Sequence, residues 1–479
     1  MTSSVSHFEP KQFKAQAKDA LENPVIRKNF RGAMDFLRNK RASVFPDSTD
    51  FKSLQATAEA IKKACLEELP DLLETLETQC IANGVQVHWA ETKDEANRII
   101  DDIIDRHQGK DVVKGKSMAT EEIGLNDYLE ARGKSCIESD MGEYIVQLAG
   151  EHPSHIIMPA IHKNAEEIGQ LFSDHIKDTA FTQDVDALIQ IGREQLRHRF
   201  LHADIGITGV NFAVAETGTL CLVENEGNGR MTTTIPPVHI AVAGIEKVIK
   251  SLDQVPALYS LLTRSATGQI ISTYFNMITS PRKNGERDGP NEVHLVLLDN
   301  GRTQAYCDEQ FRASLQCIRC GACMNHCPVY TRIGGHAYGT TYPGPIGKII
   351  SPHLLGLDAT QDLPTASSLC GACEEVCPVN IPIPQILQRL RTQANLASPT
   401  DDSLQGAGSA RSSLEGFFWG FWSWLCRKPR LYALATQCVA RSRALVVRVK
   451  SPWNRNRTTP RPAPQTLNEL LRKRHREKK

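Results

Sequence analysis

Apolar and polar positions change their period twice along the chain. Residues 1–70 are charged and helix-like, and the run AEAIKKACLEELPDLLETL (58–76) spaces its apolar residues at near-helical intervals. Pro70 inside that run predicts a break. From about residue 84, short apolar runs alternate with helical ones. Segments 85–90, 111–114, 156–158, 218–224, 239–243 and 293–299 read as strands, and 91–107, 164–176 and 245–252 as helices between or beside them. Such alternation predicts an α/β domain over 71–302 with a largely buried sheet. Near Thr303 regular periodicity gives way to Cys, Gly and Pro, and this third region runs to 397.

The last region, 398–479, opens on SPTDDSLQGAGSARSS, which reads as a flexible linker. FFWGFWSW (417–424) then holds six of the chain's 29 aromatic residues. A Pro- and Arg-rich stretch follows, and 466–479 reads as a short basic helix.

Composition narrows the class. The 479 residues exceed one ordinary core, and 41% apolar with 23% charged residues excludes wholesale disorder. The formal net charge of +1 hides an asymmetry, because residues 427–479 carry 16 Lys/Arg against two acids. An acidic body with a basic tail suits an anionic partner or surface, with peripheral membrane contact one option. No motif supports nucleic-acid binding. The polar N-terminus MTSSVSHFEPKQFKAQAKD has no apolar h-region and no stretch spans a bilayer, so a cytoplasmic placement is expected.

Seven of the 14 cysteines fall within 317–377. The first group, Cys317, Cys320, Cys323 and Cys327 followed by Pro328, is C-x2-C-x2-C-x3-C-P, the run that supplies thiolates to 4Fe–4S clusters. Three cysteines three residues apart wrap one loop around three corners of a cube, and Gly321 lets the backbone aim N–H groups at sulfur. The fourth, followed by proline, is directed to the other cluster. The second group, Cys370, Cys373 and Cys377-Pro378, lacks the first cysteine, and Ser367 stands in its place. Crossing over as in two-cluster ferredoxins gives Cys317, Cys320, Cys323 and Cys377 to cluster 1, and Cys327, Cys370 and Cys373 to cluster 2. The fourth corner of cluster 2 is left to Ser367, Cys307, water or a partner's residue, or the cluster is of the three-iron kind. Structural zinc is the plainer alternative, but it prefers two separated pairs of cysteines per ion. Two adjacent clusters suit one-electron relay. His326, His336 and His353 between the motifs read more simply as packing than as ligands.

Within the α/β region, Thr217-Gly218-Thr219 and the loop from Glu224 to Arg230 are the most site-like features, being turns at strand ends. Neither G-x-G-x-x-G after a strand nor G-x-x-x-x-G-K-S/T is present. Cys65, Cys80, Cys136, Cys221, Cys426 and Cys438 read as packing residues.

The combination of GVNFAVAETGTLCLVENEGN, CIRCGACMNHCPVYTRIGGHAYG and LCGACEEVCPVNIPIP resembles the lactate utilization protein B family over nearly the whole length. That resemblance implies a middle domain similar to the fold shared by sugar-phosphate isomerases and CoA transferases, joined to a mainly α-helical, ferredoxin-like module of two 4Fe–4S clusters. It also implies an electron-carrying subunit of a system that oxidises L-lactate to pyruvate, with cysteine-rich A-type and C-type proteins as partners. The seven cysteines fall on the family's ligand positions. Two other readings stay open: the iron–sulfur subunit of another 2-hydroxy-acid oxidase, such as one for glycolate, or a redox-sensing regulatory protein that binds a small acid.

Overall fold

The computed structural model describes residues 10–395, 413–443 and 461–477. Short runs rich in Val, Ile and Leu supply its strands: β1 (Gln86–Ala90), β2 (Asp111–Lys114), β3 (Ser135–Glu138), β4 (Ile205–Gly209), β5 (Phe212–Val214), β6 (Thr219–Glu224), β7 (Val238–Gly244), β8 (Val248–Ile249), β9 (Tyr274–Ile278) and β10 (Glu292–Leu298). Six of them form a parallel sheet in the order β1-β10-β7-β4-β2-β3. Its central strands, VHIAVAG and EVHLVLL, are apolar almost throughout because helices or a second layer cover both faces.

Alternate residues go to different cores, as the two-residue pleat requires. Ile240, Val242, Val296 and Leu298 face Ile100, Ile103 and Ile104 of the helix Lys93–Arg106. Ala241, Ala243, Leu295 and Leu297 face the other way, into a core that runs without a break into the N-terminal helices (Phe30, Met34, Leu76) and the cysteine region (Ile318, Tyr330, Leu387). These three regions lie in one compact unit, Met1–Gly408, and Ser409–Lys479 forms a second.

A smaller sheet, β8-β5-β6-β9, lies in the first unit. The turn between its antiparallel strands β5 and β6 is Thr217-Gly218, where Gly218 has φ +64°. A Cβ on Gly218 would meet the Cys80 nitrogen at 2.9 Å, so only glycine lets the hairpin seat against the helix Leu69–Ala82.

The helix break at Pro70 is found, with Ser48–Glu67 ending and Leu69–Ala82 beginning around it. Helix 91–107 appears as Lys93–Arg106, and 164–176 as Ala165–His175 with an Asn164/Glu167 capping box. Two expectations are corrected. Segment 245–252 is not a helix: one turn of 3-10 helix (Ile245–Lys247) leads into β8, whose β-branched pair Val248-Ile249 joins β5 in parallel. Segment 156–158 is not a strand, because the His155 Nδ1 accepts the N–H groups of Ile157 (3.0 Å) and Met158 (3.3 Å) that a ladder would use.

Residues 302–393 fold as short helices, with no strand among the described residues. In the second unit the aromatic run lies on the helix Ser413–Cys426 with its rings exposed, and the basic segment forms the helix Leu467–Glu477. Cys426 and Cys438 are exposed, which corrects their reading as packing residues, whereas Cys65, Cys80, Cys136 and Cys221 are buried. Most of the expected linker lies outside the described residues. No helix among the described residues is long and apolar enough to cross a membrane.

Candidate iron–sulfur site and the adjoining cavity

Each cysteine motif is built on the same backbone. In the first, the 3-10 turn Ala313–Gln316 delivers Cys317, Arg319 takes a left-handed φ of +61°, and Gly321 (φ +83°) starts the short helix Ala322–Asn325. In the second, Leu369 (φ +54°) and Gly371 (φ +82°) lead into Ala372–Glu375. Two non-glycine residues held at positive φ cost about 1–3 kcal/mol each, a strain that surrounding structure must over-determine. Gly321 is required twice over, since an added Cβ would also press on Ile157 at 3.0 Å.

Backbone donors converge on sulfur. Arg319 N–H donates to Cys317 Sγ (3.4 Å), Tyr330 N–H to Cys327 Sγ (3.5 Å) and Ile381 N–H to Cys377 Sγ (3.4 Å). The fold brings Cys320 and Cys323 within electrostatic range of both Cys317 and Cys377, and Cys373 within range of Cys327 and Cys370. The two groups adjoin, since Cys373 also influences Cys323 and Cys377. Burial and then mutual repulsion raise the Cys373 thiol to about 11, and burial raises that of Cys377 to about 12. Cys370 and Cys307 are exposed.

The surrounding side chains are cationic. Lys348, fully buried on the helix Gly344–Leu355, reaches Cys327 Sγ at 3.9 Å. Arg41 acts on Cys320, and Arg319, Lys62 and Lys247 act on Cys317. This donor set fits iron–sulfur clusters: thiolates in two groups, N–H donors on sulfur, and buried cations that offset the charge of a thiolate-bound cluster. It fits zinc poorly. A tetrahedral ion with Zn–S bonds of about 2.3 Å holds its thiolates less than about 4 Å apart. The groups of three or more ligand atoms lying within 4.8 Å of one another among the described residues include no cysteine.

The three histidines pack rather than point at sulfur. His326 Nδ1 bonds the Ala322 carbonyl (3.0 Å), His336 Nε2 the His152 carbonyl (2.7 Å), and His353 stands edge-on to Phe311. The basic side chains went unnoticed in the sequence, although the position of Arg319 between two cysteines was a usable signal.

A buried ionic network ties this module to the sheet. Arg302 donates to Glu246 Oε2 (2.6 Å) and pairs with both oxygens of Glu122 (2.8 Å each). Arg319 Nη2 donates to Glu246 Oε1 (3.1 Å), and Lys62 Nζ to the Glu246 carbonyl (2.7 Å). The two guanidinium groups more than offset burial and hold the Glu246 carboxyl down at about 2.

Beside the network lies a cavity of about 270 Å³. It sits where α/β sheets bind ligands, outside the carboxyl ends of β2, β4 and β7. Arg319, Cys320 and Tyr342 also line it. The loop from Glu224 lines it as expected, but Thr217-Gly218-Thr219 does not, being the hairpin turn described above. Glu224 spends its carboxylate on the Gly229 and Arg230 N–H groups, both at 2.6 Å.

Comparison with known proteins gives three domain matches. A LUD domain matches residues 73–298, a 4Fe-4S dicluster domain residues 313–381, and the C-terminal domain of lactate utilisation protein B residues 389–476. Lactate utilization protein B of Bacillus licheniformis is 45% identical over 381 residues, 79% of this chain and 80% of that one. The Exiguobacterium protein of the same name is 40% identical over 466 residues, 97% of each chain. The Escherichia coli electron transport protein YkgF, described as uncharacterized, is 44% identical over 379 residues, 79% of each. A solved DUF162 family protein from Deinococcus radiodurans aligns with 48% of this chain and 98% of its own at 13% identity, but its TM-score of 0.28 is too low to bear on the fold. Identity of this order across sheet, cysteine module and tail makes the chain a member of the lactate utilization protein B family.

Proposed function

We propose that the protein is the electron-transfer subunit of a complex that oxidises L-lactate to pyruvate. Cys317, Cys320, Cys323 and Cys377 would hold one 4Fe–4S cluster, and Cys327, Cys370 and Cys373 the second. The observation that supports this reading is that Cys317, Cys320, Cys323 and Cys377 lie in one another's electrostatic field and Cys373 in that of Cys327 and Cys370, with Cys373 also acting on Cys323 and Cys377. When bound, the pair of clusters supplies one-electron relay. The chain's own residues set its conditions. Left-handed turns at Arg319 and Leu369 bring their N–H groups onto Cys317 Sγ and Ser367 Oγ, and Lys348, Arg41 and Arg319 favour the reduced, more negative state.

The boundaries 1–70, 71–302, 303–397 and 398–479, and an isomerase- or CoA-transferase-like topology for the middle domain, belong to the same proposal. The parallel six-stranded sheet supports that topology. Cysteine-rich A-type and C-type partner proteins, and peripheral contact of the tail with an anionic membrane face, belong to the proposal as well. Exposed Phe417, Phe418 and Trp419 and the basic helix Leu467–Glu477 support the contact.

Anaerobic reconstitution with iron and sulfide counting, followed by mixing with the partner proteins and L-lactate, tests the reading. Rapid, reversible bleaching of the visible absorption by L-lactate is expected, and a substrate panel including glycolate separates related oxidases. Small-acid binding without electron flow would favour the sensor reading instead. Bound zinc without acid-labile sulfide would end the electron-transfer reading.

A further inference from the structure

The cavity between the sheet and the first cysteine motif has a wall whose hydrogen-bonding capacity is incomplete. Arg319 is nine-tenths buried there, its ring-like guanidinium stacked 4.7 Å from the centre of Tyr342. One of its terminal nitrogens is fixed on Glu246, while Nη1 is buried and has no partner. A buried donor left unpaired is costly, so a ligand that satisfies it is favoured by that site. Lys247 lines the same cavity, and no hydrogen bond or ion pair holds its ammonium among the described residues. The nearest carboxylate, Glu246, is already shared by Arg302 and Arg319. Arg302, Arg319 and Lys247 outnumber the carboxylates Glu122 and Glu246 at this end, and Arg319 and Lys247 share their remaining field with Cys317.

The same cavity has an acidic group. Asp140 and Glu224 lie in the field of Glu226 and all three line it, with Lys116 committed to the Ile157 carbonyl at 2.6 Å. A molecule bearing several negative groups would set some of them against those acids. A small molecule with a single carboxylate suits Arg319 and brings no second negative group against those acids. Arginine is the side chain best shaped for a carboxylate, since its planar donors can bind both oxygens.

We propose that this cavity binds the carboxylate of a small 2-hydroxy acid, or of its 2-oxo counterpart, between Arg319 and Lys247, on the wall that also carries Cys320. The inference rests on the lactate-oxidation reading for its substrate class, and it deepens that reading by giving this chain a ligand site of its own against the first motif.

Isothermal titration of the anaerobically reconstituted full chain, without partner proteins, tests it with L-lactate, pyruvate and inorganic phosphate as probes. Saturable binding of lactate or pyruvate is expected, weakened at least tenfold in Lys247→Gln and in Arg319→Gln at unchanged iron and sulfide content. If Arg319→Gln loses its clusters, Lys247→Gln decides. Three results overturn the site: no carboxylate binding to the fully loaded wild type, equal affinity in the variant that decides, or phosphate bound in preference to both acids. Lactate-driven cluster reduction with the partners present, alongside no binding to this chain, removes the site and leaves the relay standing.

Discussion

Ser367 occupies in the second motif the place that Cys317 holds in the first. Cys317 Sγ accepts the N–H of Arg319 two residues on, and Ser367 Oγ accepts the N–H of Leu369 two residues on (3.2 Å). Arg319 and Leu369 share the left-handed backbone, and each precedes a cysteine and a positive-φ glycine. The loop geometry is therefore that of a complete four-cysteine motif in which one sulfur has become a hydroxyl.

Ser367→Cys should give the second cluster a fourth thiolate without disturbing the loop. The added negative charge and the closed corner are expected to lower the midpoint potential of that cluster and slow its loss of iron on oxidation. EPR during mild oxidation is the check: a three-iron signal forming at the wild-type rate in Ser367→Cys would rule out Ser367 as the open corner.

Lys348 is a fully buried ammonium beside Cys327 Sγ, with Cys373 and Cys323 also in its field. Removing it in Lys348→Met keeps much of the side chain's volume and deletes one compensating charge. A unit charge a few ångström away at an effective dielectric of about 20 is worth roughly 2–4 kcal/mol, or on the order of 100 mV for one electron. The potential of the second cluster should fall by about that much, read by redox titration, while the first changes less.

The sheet's centre and the two cysteine motifs were legible in the sequence, for different reasons. Strands β7 and β10 announce themselves because burial on both faces demands continuous Val, Ile, Leu and Ala. Cysteine spacing is fixed by the cube it must wrap. The losses are equally physical. β4 reads Ile-Gly-Ile-Thr-Gly, and glycine disguises the strand, yet a Cβ on Gly206 would strike the Thr232 carbonyl at 2.0 Å. β8 is two residues long and exists only because β5 lies beside it. Arg319 and Lys247 are 72 positions apart, so only the folded chain brings them to one cavity wall.

Glu246 is the hinge of the network that joins sheet, N-terminal helices and cysteine module. Glu246→Gln leaves Arg302 and Arg319 buried without their shared charge, a change expected to cost about 3–5 kcal/mol. The exposed pair Lys250–Glu68 (2.8 Å) provides the contrast, and Glu68→Gln should cost no more than about 1 kcal/mol. Denaturant midpoints of the two variants measure the difference, and equal midpoints would show the network to be energetically idle.

Acid should unfold the sheet well before its carboxylates titrate. His239 is buried on β7, its Nε2 2.8 Å from the Thr208 hydroxyl, and burial first, then the nearby His294, lowers it from 6.5 to about 4. His294 on β10 is lowered to about 4 by burial, then by His88, Arg106 and His107, against the opposing pull of Glu292. Both rings stay neutral in the fold at pH values where the unfolded chain protonates them. Their stability contribution is therefore complete above pH 6.5 and is lost as pH falls from 6.5 towards 4. Each group adds a slope approaching about 1.4 kcal/mol per pH unit within that window. Urea unfolding followed between pH 7 and pH 5 should show this loss, and His239→Gln, which keeps a partner for Thr208 but cannot titrate, should remove about half of the pair's share. An unchanged slope in that variant would mean that His239 is already protonated in the folded sheet.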